Sequence, residues 1–471
     1  SGNDERTGLL RMDGTSASGR LVFHLDALHR ETGDYRIPGH AESAALRAHA
    51  HGDGHAGEHG DHGAHGRLPN SFVRTDSAAL GTSWVGDRGF IGVGASLFNS
   101  RYGVPGHSHA EAGDHDHGHD HDGDEHDHGH GAGEADAHGD VHIVMDQRRQ
   151  EIRAGLDRIG AFDTLRMKLA RTTYTHTEYE GDAVGSVFDN DSTELRLELA
   201  HRQWAGWDGA FGLQAWKRSF HAQGAEAFVP ASDARDIGLF WIGSRRLGAV
   251  DLEFGARHDR NRVEVDPAEA IGPSRSFAAT SLSAAARWHF GDDLHLSFGL
   301  DRAQRPPTAE ELYSSGLHVA TRSHEFGDPQ LRRETANRIE AGLHWHHGGL
   351  RVGASLYAVD YRDFIYLADT GVEDAGTPVR VWNQADARFT GGELDLQWTL
   401  RDDERGRWTL RTFADVVRGR LDGEGTREVA FEVPHGDHVH AYTAGLALDG
   451  NLPRLAPRRT GAELRWDTEQ W

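Results

Sequence analysis

Histidine is the residue type in this chain with the clearest chemical potential. The sequence has 34 histidines among 471 residues, and eighteen of them lie in two short tracts, seven from His40 to His65 and eleven from His107 to His142. Acidic residues and glycine are interleaved with them and no apolar period is present, so these tracts cannot pack a core. We therefore expect two solvated His/Asp-rich loops, spanning residues 31–67 and 99–145.

The chemistry that these tracts suit is the binding of transition-metal ions. Histidines two residues apart in an extended chain, such as His115 and His117, project to the same side. Neutral imidazole is a common ligand of Zn²⁺, Cu²⁺ and Ni²⁺, and nearby carboxylates ligate directly or accept the second ring N–H. Because ordering a glycine-rich loop costs entropy, we expect several weak, exchanging sites. Their affinity for metal should fall as the histidines protonate, at about pH 6–6.5. The alternative is a solvated tract without a ligand.

The predicted metal ligands fall into two sets. A transport pathway would also need better-ordered ligands outside the tracts, although each of those could instead be a polar loop residue hydrated by water or bonded to backbone. The first set is His40, His49, His51, His55, His59, His62, His65, His107, His109, His115, His117, His119, His121, His126, His128 and His130, and the second is His318, His324, Glu325, His435, His438 and His440.

Composition excludes several other functions. The chain has 50 basic and 74 acidic residues, a net charge of −24, which argues against nucleic acid as a partner. It has no cysteine, which excludes disulfides and thiolate metal sites. No apolar run is long enough for a membrane-spanning helix, and no cleavable signal peptide is recognisable in the sequence, which starts without Met and is expected to be a mature protein or a fragment of one. No phosphate-binding loop, G-x-S-x-G or H-E-x-x-H motif occurs, so we expect no enzyme.

The elements that position the histidines are predicted from strict alternation. Residues 294–301, for example, alternate Leu or Phe with His, Ser, Gly and Asp. Seventeen such segments of about ten residues, from 19–30 to 459–468, suit tilted strands that cross a bilayer, although a soluble β-sandwich or propeller also alternates. Short turns follow every second strand, and the long polar connections are 31–67, 99–145, 177–191, 219–235, 260–278, 303–334, 362–387 and 419–437. This sorting predicts an all-β transmembrane antiparallel barrel with every long loop at one mouth.

Several motifs resemble those of TonB-dependent outer-membrane receptors. Residues 304–313, QRPPTAEELY, are similar to the family's Arg-x-Pro motif followed by a short helix, which Thr308 and Glu311 would cap as a capping box. Residues 325–335 are similar to its E-x-G-N-P-x-L-x-x-E motif, with Asp328 in place of Asn. Weaker similarities lie at residues 34–39, at Asn383 with 391–393, and at 452–457.

The resemblance implies a fold, a location and partners. With His-rich loops, the most similar subgroup is the zinc-uptake receptors. It implies a 22-strand barrel around an N-terminal plug, so that 1–471 with its seventeen strands is a partial barrel without the plug. It also implies an outer-membrane location with the His-rich loops extracellular, contact with outer-membrane lipid, and coupling to the TonB energising complex through the missing plug.

The cargo and the function have alternatives. The predicted cargo is a transition-metal ion, zinc first, with copper or nickel as substitutes. A receptor for haem or a metal chelate belongs to the same family, and His318 and His324 could then be axial haem ligands. Outside that class, the chain could be a surface protein that sequesters metal without transporting it.

Overall fold

The structure of the chain is a computed structural model. It describes residues 4–41, 64–105, 141–224, 227–266, 271–318, 321, 323–374, 376–403, 406–422, 438–451 and 459–470. Of residues 438–451 and 459–470 we describe the backbone.

Within these residues, eighteen strands form one antiparallel meander in which each strand pairs with the next. Because each pairs with its sequence neighbour, the backbone hydrogen bonds run without a break from the first strand to the last. The strands are β1 Arg6–Thr15, β2 Leu21–Thr32, β5 Val73–Gly86, β6 Gly89–Gly103, β7 Val141–Ile159, β8 Phe162–Glu180, β9 Ala183–Trp204, β10 Trp207–Gly224, β11 Ser232–Leu247, β12 Val250–Val265, β13 Arg275–Phe290, β14 Leu294–Arg305, β17 Glu334–His347, β18 Leu350–Asp374, β19 Thr377–Asp403, β20 Gly406–Asp422, β21 His438–Asn451 and β22 Arg459–Gln470.

Four short strands and one helix lie in the connections. Strands β3 Arg36–His40 and β4 His65–Arg67 form a separate hairpin between β2 and β5. Between β14 and β17 come helix α1, Ala309–Tyr313, and a hairpin of β15 Ser315–His318 and β16 Ser323–Phe326. Strand β16 also pairs in parallel with β19.

The predicted tight turns are present and lie at one end of the sheet, which we call the turn end. Two-residue connections join β5 to β6, β11 to β12 and β17 to β18. Between β9 and β10, Ala205 and Gly206 have φ values of 52° and 82°. A type I′ turn requires positive φ at both positions, which glycine supplies without steric cost. The opposite end of the sheet is the loop end.

One face of the sheet is apolar and exposed. On β14, for example, Leu296, Phe298 and Leu300 are 36%, 43% and 47% exposed. A soluble sandwich would bury this face against a second layer, whereas a lipid-facing strand leaves it outside. Large aromatic side chains on exposed positions gather toward the turn end, as the interfacial girdle of a membrane barrel does: Trp84, Trp204, Trp288, Trp345 and Trp398.

Two features of the strand prediction were wrong. All seventeen predicted segments are strands, but β1 was not predicted, because adjacent Leu9 and Leu10 break the alternation; the prediction of about seventeen strands is therefore one short. Residues 177–191 and 362–387 are not long loops. There β8 and β9, and β18 and β19, continue as polar strands to tips of two residues. Ladder hydrogen bonds sustain a strand beyond lipid even where alternation ends.

Helix α1 was predicted correctly, and its cap has the expected geometry. The Thr308 side chain accepts from the Glu311 backbone N–H, and the Glu311 carboxylate accepts from the Thr308 backbone N–H at 2.7 Å. This reciprocal pair satisfies two N–H groups that a helix start leaves free. In the part of the chain that the structure describes, no helix has the length and apolarity needed to span a membrane.

The apolar face makes a direct prediction about stability. Replacing Phe298 with Arg should destabilise the folded protein in lipid by about 2–4 kcal/mol, because the charge would face hydrocarbon. The neighbouring Ser297→Arg substitution is the matched control, since Ser297 lies on the polar face and should cost far less. Urea titration in lipid vesicles, followed by the heat-dependent shift in gel mobility, measures both. Equal losses for the two variants would contradict a lipid-facing sheet.

Candidate metal centre at the loop end

Both His-rich connectors leave the sheet at the loop end. Thr32 of β2 pairs with Val73 of β5, and Val73 pairs with Tyr102 of β6. Gly103 in turn pairs with His142 of β7. The four strand ends that flank the two tracts therefore lie side by side at one rim, as the alternation of short and long connections predicted. Residues 99–103 and 141–145 belong to β6 and β7, so the second connector proper is 104–140.

His40 and His65 meet at the base of the first connector. They are paired across the β3–β4 hairpin, and their ring centroids lie 4.5 Å apart with a tilt of 59°. The Nδ1 atom of His40 is buried without a hydrogen-bond partner among the described groups. A buried ring nitrogen without a partner is costly unless a proton donor or a metal ion completes it. The pair thus presents two imidazoles where the tract begins and ends.

His318 and Glu325 form the best-ordered group among the predicted ligands. The His318 Nδ1 lies 2.9 Å from the Glu325 Oε1, across the β15–β16 hairpin. Glu325 is 3% exposed. A metal-binding histidine typically donates its other ring N–H to a carboxylate, which fixes the ring and its tautomer. Glu325 holds the Nδ1 side of His318 in that arrangement, which leaves Nε2 as the ring atom that could bind a metal ion.

Two hydroxyl groups complete the surroundings of Glu325. Thr321 Oγ1 donates to Oε1 at 2.6 Å and Ser323 Oγ at 3.4 Å. Sequence reasoning did not identify these two residues, although Ser323 lies two positions before Glu325 and therefore on the same face of a strand. The carboxylate is thus an acceptor anchored on three side chains.

The loop that precedes β11 and the helix hold this hairpin in place. Phe228 stacks on His318 with centroids 4.3 Å apart, and its carbonyl accepts from the Ser315 N–H at 2.7 Å. Gly316 has a φ of 151°, and a Cβ there would lie 3.3 Å from the Phe228 Cβ, so glycine fits best. On the other side, Leu312 and Tyr313 of α1 are fully buried.

His324 lies on the opposite face of the same hairpin. His318 is registered with Ser323 and His324 with Leu317, and directly opposed residues share a face. The His324 Nε2 lies 4.0 Å from the exposed Asp374. His318 and His324 therefore do not face each other, and the axial pair considered from the sequence is not assembled in this hairpin.

The other predicted ligands divide by what the structure describes. His438 and His440 belong to β21, registered with Arg420 and Arg418 at the loop end. The remaining ones lie outside the described residues: His49, His51, His55, His59, His62, His107, His109, His115, His117, His119, His121, His126, His128, His130 and His435. No group of three or more His, Asp or Glu side chains converges on a metal-binding point among the residues described.

The electrostatics of Glu325 follow from its contacts. Burial by itself raises the pKa of Glu325, but the hydrogen bonds from His318 and the two hydroxyl groups outweigh it and hold the pKa below the ordinary value of 4.5. The carboxylate is therefore ionised at neutral pH. An anion 2.9 Å from the His318 ring favours binding of a cation at that ring.

An antiparallel sheet with an exposed apolar face and polar connectors gathered at one rim defines a β-protein of the outer-membrane type. The chain belongs to the family of TonB dependent receptor-like β-barrels, whose sequence model matches residues 53–471. TonB-dependent receptors are transporters, so the expectation that this chain is not an enzyme is confirmed. The number of strands in a closed barrel stays a prediction.

Three relatives illustrate the similarity. A hemoglobin-haptoglobin-binding protein A from Haemophilus influenzae is 30% identical over 140 residues, a stretch that covers 28% of this chain and only 13% of that protein. The copper transporter OprC is 14% identical with a TM-score of 0.66, over 98% of this chain and 70% of its own. The FrpB iron transporter from Neisseria meningitidis is 12% identical with a TM-score of 0.68, over 98% and 67%. At 14% and 12% identity, the similarity to these two solved transporters shows a shared fold and no more.

The order of the β15–β16 hairpin should depend on Glu325. A Glu325→Gln variant replaces an acceptor-only carboxylate with an amide, which should loosen the hairpin by about 1–3 kcal/mol. Because the pKa of Glu325 is lowered in the folded state, this contribution is present above about pH 4.5 and is lost as the pH falls through the folded value. Hydrogen exchange of residues 315–326, corrected for the intrinsic pH dependence, measures both effects.

Glu373→Gln is the matched control, since Glu373 is an exposed carboxylate at the same end of the sheet. It should leave the exchange of 315–326 unchanged. Unaltered protection in the Glu325→Gln variant would show that the hairpin is held by its backbone contacts alone.

Proposed function

We propose that this chain is the barrel portion of an outer-membrane TonB-dependent receptor that takes up a transition-metal ion, zinc first. The observation that carries the proposal is that the strand ends flanking both His/Asp-rich connectors lie at one end of the sheet, which is also the end that carries the anchored His318–Glu325 pair. In this proposal the loop end faces the outside of the cell, and coupling to the TonB complex runs through the plug. Family membership supports the outer-membrane location.

Capture and delivery have different physical requirements, and the two kinds of ligand suit them. Connectors rich in imidazole and carboxylate raise the local concentration of cations and, in this proposal, bind them weakly. A ligand that passes the ion onward has to be ordered, and the buried Glu325 orders His318. Ions would thus move from many exchanging sites in the connectors to fewer fixed ones at the rim.

The chemistry of the ligands favours a borderline metal ion. Imidazole suits Zn²⁺, Cu²⁺ and Ni²⁺, and the chain has no cysteine for a soft thiolate site. The similarity to a structure named as a copper transporter supports a metal-ion cargo of this kind. Zinc stands first because tetrahedral sites of histidine and carboxylate, with no redox step, are its usual environment.

Haem is the second candidate within the same family. It is favoured by the names of two curated relatives, which are a hemoglobin-haptoglobin-binding and a hemoglobin-haptoglobin utilization protein. Against it stands the register of the hairpin, which puts His318 and His324 on opposite faces. A protein that only sequesters metal is the third candidate. A measurement of uptake distinguishes it from the other two, because only a receptor transports its cargo.

Metal binding by the connectors predicts a stoichiometry. The full chain, purified without a histidine tag, should bind several Zn²⁺ ions near neutral pH, and a variant with every histidine of 42–63 and 106–140 changed to Asn should lose most of them. Equilibrium dialysis counts the bound ions. Binding to the parent should also fall steeply as the pH drops through about 6.5, because protonated imidazole is not a ligand.

A variant with the aspartates and glutamates of the same two segments changed to Asn and Gln is the matched control. It keeps the imidazoles and should retain most of the ions with lower affinity. An unchanged ion count in the histidine-free variant would remove the capture role of the connectors.

Uptake should depend on the receptor when zinc is scarce. Cells that lack the protein should accumulate radioactive zinc more slowly under chelation, and the parent gene should restore the rate more fully than a His318→Ala variant. Haem-dependent growth is measured in the same strains. Loss of haem use with normal zinc uptake would favour the haem receptor, and normal uptake of both would favour sequestration.

A further inference from the structure

A second group of histidines lies at the turn end, far along the strands from the connectors. His289 is on β13, His295 on β14, and His344 and His346 on β17, each within a few residues of a tight turn. His289 is registered opposite His295, and His295 opposite His344. Cross-strand partners share a face, so these four side chains form one patch, which we call the turn-end cluster.

The turn-end cluster lies on the polar face of the sheet. The neighbours of its members in sequence, Trp288, Phe290 and Trp345, are 49%, 53% and 37% exposed on the apolar face. Alternation along a strand then puts His289, His295 and His344 on the opposite side. In a barrel of this family that side lines the interior.

Two imidazoles of the turn-end cluster are in contact and a third lies nearby. The Nδ1 atoms of His289 and His295 lie 2.9 Å apart, with ring centroids 4.7 Å apart. The rings of His295 and His346 follow with centroids 6.1 Å apart. Two nitrogen ligands on one tetrahedral zinc are about 3.3 Å apart, given bond lengths of about 2.0–2.1 Å. A small rotation of the first two rings therefore admits an ion between them.

Carboxylates stand behind these rings in the positions of outer partners. Asp251 Oδ2 lies 2.6 Å from the His289 Nε2. Asp293 Oδ1, in the turn after β13, lies 3.6 Å from the His346 Nδ1. A carboxylate on the far nitrogen fixes the tautomer and leaves the near nitrogen to the metal. Glycine at position 353, registered opposite His344, leaves space beside that ring.

We propose that His289 and His295, whose ring nitrogens are in contact, form the core of a second transition-metal-ion site on the inner face at the turn end, which His344 and His346 complete by side-chain rotation when the ion binds. Its ligands are imidazoles of three neighbouring strands, and its ion is Zn²⁺ or another ion of the same preference. The site itself does not depend on the function proposed above. The role of an exit site, which holds the ion after it has passed the interior, does rest on that function.

Histidine modification by diethylpyrocarbonate, read by mass spectrometry for each peptide, tests the site in the full chain. A metal-bound nitrogen cannot react, so Zn²⁺ at ten times its Kd should slow modification of His295 and His344 roughly tenfold. In a His344→Asn variant the protection of His295 should fall. His258 is the control, since it lies in the middle of β12, away from the turn end, and its Nδ1 pairs with Thr280 Oγ1 at 2.9 Å. A His258→Asn variant should keep the protection of His295.

Equal modification of His295 with and without Zn²⁺ would overturn the turn-end site, and so would full protection of His295 in a folded His344→Asn variant. Heat-dependent gel mobility establishes whether each variant is folded. If the His344→Asn variant does not fold, a His346→Asn variant is used to repeat the test. The connector histidines are measured in the same spectra. Protection there without protection of His295 leaves the capture role standing and rejects this site.

Discussion

Every backbone N–H and C=O that crosses a lipid bilayer has to find its partner within the protein. Here an antiparallel ladder of eighteen long strands supplies those partners for every strand between β1 and β22, each long strand bonded to the next. The ladder fixes the rest of the architecture. It forces side chains to alternate between two faces, and it sends every connection to one of two ends.

The two faces have different solvents, and therefore different chemistry. The apolar face contacts lipid and carries side chains such as Leu356, which is 70% exposed. The polar face carries alternating charges, for example Arg196 with Glu198 and Arg257 with Asp259. Such pairs suffice for a hydrated interior and require no catalytic role. Side chains that bind a metal ion therefore have to lie at the two rims or on the polar face, because only those surfaces contact water.

Histidine is placed at both rims, but the two groups are built differently. At the loop end, one imidazole is fixed by a buried carboxylate, and the sequences of the two connectors contain many more histidines. At the turn end, the imidazoles come from rigid neighbouring strands, and tight turns hold those strands in register. Many separate imidazoles suit capture from dilute solution, whereas a rigid group suits binding of one ion at a fixed place.

The sequence by itself determined the strands, the turns and the capped helix, because alternation, turn residues and capping are local properties. It missed β1, whose adjacent leucines hide the period, and the strand extensions of 177–191 and 362–387, which hydrogen bonds sustain without an apolar face. Only the tertiary structure decided which histidines meet. The pairing of His318 with Glu325, the separation of His318 from His324, and the contact of His289 with His295 all depend on strand register. Register joins residues on different strands, and a one-residue slip turns each side chain to the other face.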